Sequence, residues 1–345
     1  MNQIHANIQV SLSHMPLIFD SHSDYGCWTY YEDQMRLAPS LTEHAQRVQA
    51  GGIGMEVLVI GGQSVLDEVD FRTRDTVLTA MQSVRMALSD PCLGYTQVLN
   101  RQDLARLPEP GRVGWTFGFE GAAPITSLDD LWKYHEVGLR VLSLTHAGDN
   151  DIACGRDREP GLGGGLTAFG RELVKALDDL PIVIDLAHLT DRGVMDTLEL
   201  INRPVIISHT GARAVCDRPR NIPDDIIRSV AARGGVIGIF AVGYYLHDGE
   251  GAATAEAWLR HIEHVVELVG PEHVGLGTDF TDYMSEIFDR WHIPHLKPTV
   301  AGVPDCSHTK VFLEMLAGRG YDKHVIGDMA WKNFARVYDA SLPRD

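Results

Sequence analysis

Eight short apolar runs, separated by segments with helical patterning, constrain the fold of this chain more than any other feature. The runs are rich in Val, Ile and Leu and nearly continuous, which is typical of parallel strands buried on both faces. Strands that alternate with helices favour right-handed βαβ units, and eight parallel strands close a barrel. We therefore predict a (β/α)8 barrel with strands near residues 17–20, 53–60, 112–119, 140–144, 181–186, 204–208, 235–240 and 273–277.

Helix signals lie between the runs. Pro223 and Asp224 suit the first turn of a helix, because proline fixes φ and negative charge favours the amino end. Thr190 predicts the N-cap of another helix. In a third helix, over residues 258–269, His261 falls between the apolar positions, so we interpret it as part of a solvated face and not as a metal ligand.

Length and charge narrow the class of protein. The chain has 345 residues, 44% of them hydrophobic, and no linker divides it, so we predict a single barrel domain over residues 1–345. A formal net charge of -17 without any cluster of Lys and Arg argues against a nucleic-acid partner. No apolar stretch approaches the roughly 20 residues that cross a bilayer, so we expect no membrane partner.

Cysteine usage and the amino terminus bear on the compartment. Five cysteines are scattered without a C-x-x-C pair, which is typical of free thiols in a reducing compartment. The first residues carry no Lys or Arg before a hydrophobic core, so they do not resemble a secretory signal. We therefore expect a cytoplasmic protein.

Six of the apolar runs are followed by groups that can hold a metal or move a proton. Barrel enzymes place their chemistry just past the carboxyl ends of the strands. We therefore expect these side chains to face one another across one pocket. They are His22 with Asp24, Glu120, His146, His188, His209 and Asp279.

The histidines suggest a zinc-type centre. Alternation along an extended chain points His22 and Asp24 the same way, and an imidazole beside a carboxylate suits such an ion. A polar loop would equally explain one isolated H-x-D tripeptide. His188 and His209 follow two runs that we expect to be neighbours, and neighbouring strands can offer two imidazoles to one ion.

Glu120 allows two interpretations. A carboxylate at a strand end can bridge two cations about 3.5–4 Å apart, which would share a hydroxide as the nucleophile. Alternatively, Glu120 is a structural residue that pairs with a local arginine such as Arg112.

Asp279 and His146 are candidates for catalysis. Asp279 could act as general base and then general acid, or it could cap the helix that follows. His146 could polarise a carbonyl or hold a developing oxyanion, or it could be a buried histidine with satisfied hydrogen bonds.

The chain resembles, from residue 19 to about residue 337, the membrane (renal) dipeptidases, the zinc dipeptidase branch of the amidohydrolase superfamily, and eight ordered motifs carry this resemblance. The most specific stretches are residues 20–24 (DSHSD), 119–121 (FEG), 144–146 (LTH), 165–170 (GLTAFG), 185–188 (DLAH), 208–209 (SH), 217–225 (DRPRNIPDD) and 273–279 (HVGLGTD).

The resemblance implies a distorted (β/α)8 barrel that binds two Zn²⁺ ions. One ion would be held by His22, Asp24 and Glu120 and the other by Glu120, His188 and His209. The implied activity is hydrolysis of the amide bond of short dipeptides, some with a C-terminal D-residue, by a hydroxide that bridges the metals. Relatives also suggest a homodimer.

The resemblance assigns three further roles. His146 would assist at the scissile carbonyl and Asp279 would shuttle the proton. Arg220 would bind the terminal carboxylate of the substrate, and its planar guanidinium matches a carboxylate bidentately.

The chain departs from the family pattern at residues 25–27 (YGC) and 147–151 (AGDND), which changes the pocket wall. Asp149 and Asp151 could favour a cationic side chain or a free α-amine. One alternative function is therefore a metal-dependent amidohydrolase that acts on N-acyl amino acids, lactams or a pathway-specific peptide intermediate. An alternative of another class is a catalytically silent barrel that acts as a binding protein.

Overall fold

The computed structural model describes residues 15–62, 64, 66, 68–109, 111–156, 164–249, 253–285 and 300–344. Its strands, all parallel to their neighbours, are β1 (Ile18–Ser23), β2 (Ile53–Gly61), β3 (Tyr95–Gln97), β4 (Val113–Glu120), β5 (Leu139–Ser143), β6 (Val183–Asp185), β7 (Ile206–Thr210), β8 (Val236–Ile239) and β9 (Val274–Leu276).

Eight of these strands close a barrel, which confirms the predicted (β/α)8 fold. Their order is β2-β1-β9-β8-β7-β6-β5-β4, and β2 pairs with β4 to complete the ring. Each of the eight predicted runs coincides with one barrel strand. β3 was not predicted, because its three residues are partly exposed and contain no apolar run; it pairs only with the first residues of β4.

Helices cover the outside of the barrel. They are α1 (Tyr25–Met35), α2 (Leu41–Gly51), α3 (Arg74–Ala87), α4 (Arg101–Ala105), α5 (Leu128–Glu136), α6 (Ala168–Asp179), α7 (Asp191–Leu200), α8 (Asp224–Ala232), α9 (Gly243–Leu246), α10 (Ala255–Val269), α11 (Lys310–Gly318), α12 (Lys323–Gly327) and α13 (Asn333–Ser341). The predicted cap is confirmed, since Thr190 Oγ1 accepts from the Gly193 amide at 3.0 Å. The predicted start of α8 after Pro223 is also confirmed.

The prediction for His261 is wrong about its environment. His261 is completely buried, because it follows Trp258 by three residues and precedes Val265 by four on the apolar face of α10. Its Nδ1 accepts from the Ala212 amide at 2.9 Å, and its Nε2 lies 3.1 Å from the Leu246 carbonyl. His261 therefore joins α10 to the loop after β7 and to α9, and it serves as a structural residue.

The amino-terminal end of the barrel is plugged by aromatic rings. Phe19 packs against Trp331, Phe334 and Tyr338, with ring centroids 5.6, 5.6 and 4.7 Å apart. Gly275 permits this contact, because a Cβ there would lie 2.2 Å from the Phe334 ring. Only the opposite, carboxyl end of this barrel therefore remains open for a functional site.

Among the described helices, none combines the length and the apolar character that a bilayer-spanning segment needs. All five cysteines are free thiols. The cytoplasmic location and the single domain over residues 1–345 stay predictions.

Candidate metal centre

The structure brings the predicted site residues together at the carboxyl end of the barrel. His22, Glu120 and His209 lie within the last residues of β1, β4 and β7. Four others lie within three residues of a strand end, after β1, β5, β6 and β9: Asp24, His146, His188 and Asp279. Arg220 lies farther along the chain, on the loop between β7 and α8.

Glu120 lies at the centre of this group. Its Oε1 is 2.9 Å from Nε2 of His188 and 3.5 Å from Nε2 of both His22 and His209. Its Oε2 is 3.7 Å from Nε2 of His146. One carboxylate thus contacts four imidazoles that come from four strands.

The proposed pairing of Glu120 with Arg112 is wrong. Arg112, its proposed partner, instead pairs with Glu109, with Nε and Oε2 3.1 Å apart. This pair lies in an exposed loop before β4, while Glu120 is at the other end of that strand.

The five predicted ligands form one continuous cluster. The ligand atoms fall into three overlapping groups, and within each group all of them lie within 4.8 Å of one another. The groups are His22 with Glu120 and His209, Glu120 with His146 and His188, and His22 with Asp24 and Asp279. The rings of His22 and His209 are 3.8 Å apart. The cluster is therefore less divided than the two sets that the resemblance implies.

His188 and His209 are chemically suited to a metal. Burial lowers the pKa of both imidazoles well below the usual value, and the charge of Arg220 acts in the same direction. Arg220 Nη2 donates to Nε2 of His188 at 3.1 Å, since a guanidinium has no acceptor. That Nε2 therefore carries no hydrogen, yet it also lies 2.9 Å from Oε1 of Glu120, so a cation would relieve the repulsion between these two acceptors.

His22 has a different environment. Its Nε2 lies 3.6 Å from Asp24, 3.5 Å from Glu120 and 3.9 Å from Asp279. Burial opposes protonation, but these carboxylates outweigh it and raise the pKa of His22 to about 10. The same Nε2 is buried without a hydrogen-bond partner among the described residues, so this position favours positive charge, which a metal cation would supply in place of the proton.

Asp279 does not cap a helix. The next helical turn begins at Asp282, and its cap position is Thr281. Asp279 has a left-handed backbone, with φ 55°, and burial raises the pKa of its carboxyl to about 8 against the opposing charge of His22. It therefore turns its carboxylate into the site next to His22.

His146 lies beside a cavity of about 490 Å³ that begins at Glu120. Its side chain is 28% exposed, so the alternative interpretation is wrong about its burial. Asp149 lines this cavity, whereas Asp151 is exposed and is not among its lining residues. Of the two acidic residues singled out in the sequence, Asp149 alone can contact a ligand there.

Gly62 is a site residue that the sequence analysis missed. Its φ is +76°, and a Cβ there would lie 3.0 Å from Oε2 of Glu120. The pair Gly61-Gly62 at the end of β2 was the available signal, because a strand that ends in two glycines permits close backbone approach.

The sequence matches the family described as "Membrane dipeptidase (Peptidase family M19)" over residues 5–342. An uncharacterised protein encoded in the pqqA 5' region of Klebsiella pneumoniae is 28% identical over 69% of this chain and 86% of its own length. The dipeptidase verJ of Clonostachys rogersoniana is 30% identical over a match that covers 67% of this chain and 56% of that relative.

Solved structures share the fold. A metallopeptidase from Rhodobacter sphaeroides, crystallised with a phosphinate mimic of the dipeptide L-Ala-D-Ala, superposes with a TM-score of 0.80. The match covers 95% of this chain and 100% of that one at 22% identity.

Proposed function

Because the chain belongs to the membrane dipeptidase family, peptidase family M19, we propose that it is a dipeptidase with two zinc ions at the carboxyl end of its barrel. One ion would be held by His22, Asp24 and Glu120, and the other by Glu120, His188 and His209. The observation that carries this proposal is the position of Glu120, whose carboxylate lies 2.9–3.5 Å from three imidazole nitrogens.

The donor set supports zinc. Neutral imidazoles and carboxylates are ligands that zinc prefers, and His188 and His209 are held neutral by burial. When bound, the two ions would acidify a water molecule and polarise the carbonyl of the substrate.

Asp279 is proposed to move the proton. Its carboxylate is 3.9 Å from Nε2 of His22, a proposed zinc ligand, so it would be close to a water molecule that the ions activate. It would accept the proton from this water and donate it to the leaving amine, which is general base and then general acid catalysis.

Arg220 and His146 are proposed to orient the substrate. Arg220 is 4% exposed and lies against His188, and its planar guanidinium matches the geometry of a terminal carboxylate. His146, on the opposite side of Glu120, would hydrogen-bond to the oxygen of the scissile carbonyl. A C-terminal D-residue is part of the proposal because the Rhodobacter sphaeroides relative binds a mimic of L-Ala-D-Ala.

A second candidate is hydrolysis of N-acyl amino acids or related amides. A cavity of about 490 Å³ lies beside Glu120 and His146. An acyl group could occupy this space while Arg220 binds the carboxylate.

A substrate panel tests both candidates. The purified chain is assayed on L-Ala-L-Ala, L-Ala-D-Ala and N-acetyl-L-alanine, before and after chelation and after addition of zinc. We expect hydrolysis of the free dipeptides that is lost on chelation and returns with zinc. Hydrolysis of the acetylated substrate alone would favour the second candidate, and full activity after exhaustive chelation would contradict both.

A further inference from the structure

We propose that Asp185 is a positioning residue that orients both histidines of the second cation site, His188 through its backbone and His209 through its ring. The inference rests on the proposed function for the identity of the cation, but not for the arrangement of the hydrogen bonds. Asp185 itself is not a proposed ligand.

Asp185 is 2% exposed and accepts four hydrogen bonds. Its Oδ2 accepts from the hydroxyls of Ser143 on β5 and Ser208 on β7, both at 2.6 Å. Its Oδ1 accepts from the amides of Ala187 at 3.0 Å and Ser208 at 2.9 Å. One buried carboxylate on β6 thus joins the ends of three adjacent strands.

The bond to Ser208 determines which nitrogen of His209 carries the proton. A serine hydroxyl has one proton, and Ser208 donates it to Asp185. Ser208 Oγ lies 2.8 Å from Nδ1 of His209, so at this contact the oxygen accepts and Nδ1 carries the hydrogen. Nε2 of His209 is therefore the unprotonated nitrogen, and it lies 3.0 Å from Nε2 of His188 and 3.5 Å from Oε1 of Glu120, where a cation would join these acceptors. Such partners fix the tautomer of a metal-binding histidine.

The bond to Ala187 supports His188 in another way. His188 has φ 65°, a left-handed backbone that is strained in a residue other than glycine. Its Nδ1 is buried and has no hydrogen-bond partner among the described residues, so no such bond orients the ring from behind. The bond from Asp185 to the preceding amide holds the turn that directs His188 towards Glu120.

Ser208→Ala and Ser143→Ala form a matched pair for the test. Both remove a buried hydroxyl that donates to the same Oδ2 at 2.6 Å, but only Ser208 contacts His209. Zinc affinity is measured by competition with a chromophoric chelator. We expect the second ion to bind about 10- to 100-fold more weakly in Ser208→Ala. Ser143→Ala is expected to bind both ions as the wild type does. Equal affinities in the two variants would overturn the proposal.

A second measurement does not depend on metal or activity. ¹⁵N-labelled histidine in the metal-free protein reports the tautomer of each ring by NMR. We expect His209 to be protonated at Nδ1 in the wild type and in Ser143→Ala, and to lose this preference in Ser208→Ala. Protonation at Nε2 in the wild type would overturn the inference. A correct tautomer in a chain that binds no zinc would instead refute the proposed function alone.

Discussion

The two sides of the candidate centre contain the same residue type in opposite electrostatic environments. His22, on the β1 and β9 side, has three carboxylates within 3.9 Å, and its pKa is raised to about 10. His209, on the β6 and β7 side, is held neutral by burial, although the two rings are only 3.8 Å apart. The local charge and burial, and not the residue type, therefore determine what each imidazole can bind.

This difference in charge between the two sides would give two cations that share Glu120 different surroundings. The carboxylates around His22 supply negative charge, while the imidazoles of His188 and His209 supply neutral donors next to Arg220. The second side thus tolerates the cationic guanidinium that the substrate carboxylate would need. The first side instead places Asp279 next to the proposed attacking water.

The largest effect is expected from Glu120→Gln, which breaks both sides at once. Because Glu120 is the proposed shared ligand, zinc content should fall from two ions to less than one per chain. Loss of one proton-transfer group lowers the rate by up to about 10,000-fold, and we expect a larger loss of activity here. Zinc analysis and dipeptide hydrolysis measure the two effects, and Glu109→Gln, in an exposed ion pair, is the control. Two retained ions in Glu120→Gln would refute the shared carboxylate.

Asp279→Asn separates chemistry from metal binding on the carboxylate side. We expect kcat to fall about 100- to 10,000-fold with two zinc ions still bound, since the amide cannot move the proton. Asp282→Asn is the matched control, because Asp282 lies in the same loop but pairs with Arg47 at 2.9 Å. Loss of a zinc ion in Asp279→Asn would show that Asp279 is a ligand.

Arg220→Lys tests the imidazole side. A hydrogen bond to a charged group contributes about 1.5–3 kcal/mol, so kcat/KM for free dipeptides should fall about 10- to 100-fold. Dipeptide amides, which lack the terminal carboxylate, should be affected much less. Arg213→Lys, whose arginine pairs with Asp191 at 3.3 Å, provides the control. An equal loss on both substrate types would contradict carboxylate recognition by Arg220.

His261 extends the comparison to a buried histidine outside the centre, where we expect no direct effect on catalysis. Burial lowers the pKa of His261 from 6.5 to about 4, so between these pH values the unfolded chain binds a proton that the folded chain does not. The free energy of unfolding should therefore decrease as the pH is lowered through this window, by at most about 3 kcal/mol.

The measurement is denaturant unfolding of the metal-free protein between pH 7 and pH 4. In His261→Gln, whose amide can replace one donor and one acceptor, the decrease should be smaller than in the wild type. His308→Gln, at a side chain that is 46% exposed, should retain the wild-type decrease. An unchanged decrease in His261→Gln would contradict the assigned cause.

The sequence predicted the barrel and the candidate residues because both depend on local patterns. Buried parallel strands have continuous apolar runs, and parallel strands end at the same edge, so the side chains that follow them must be neighbours. Arg220 came only from the resemblance, because nothing in its spacing distinguishes it from a surface arginine. β3 was missed because its pairing depends on its neighbour and not on its own residues.

The supporting contacts could not be predicted in the same way. The bonds of Asp185 join residues up to 42 positions apart, and no spacing rule connects Ser143 with Ser208. The burial of His261 likewise depends on which loops pack over α10. Such features result from tertiary packing, which a sequence pattern specifies only indirectly.

The central claim is that one glutamate joins two metal sites. The most direct measurement is anomalous diffraction at the zinc edge from crystals grown with zinc. We expect two peaks on either side of the Glu120 carboxylate, one within coordination distance of His22 and Asp24 and the other of His188 and His209. A single peak, or two peaks that do not share Glu120, would contradict the account.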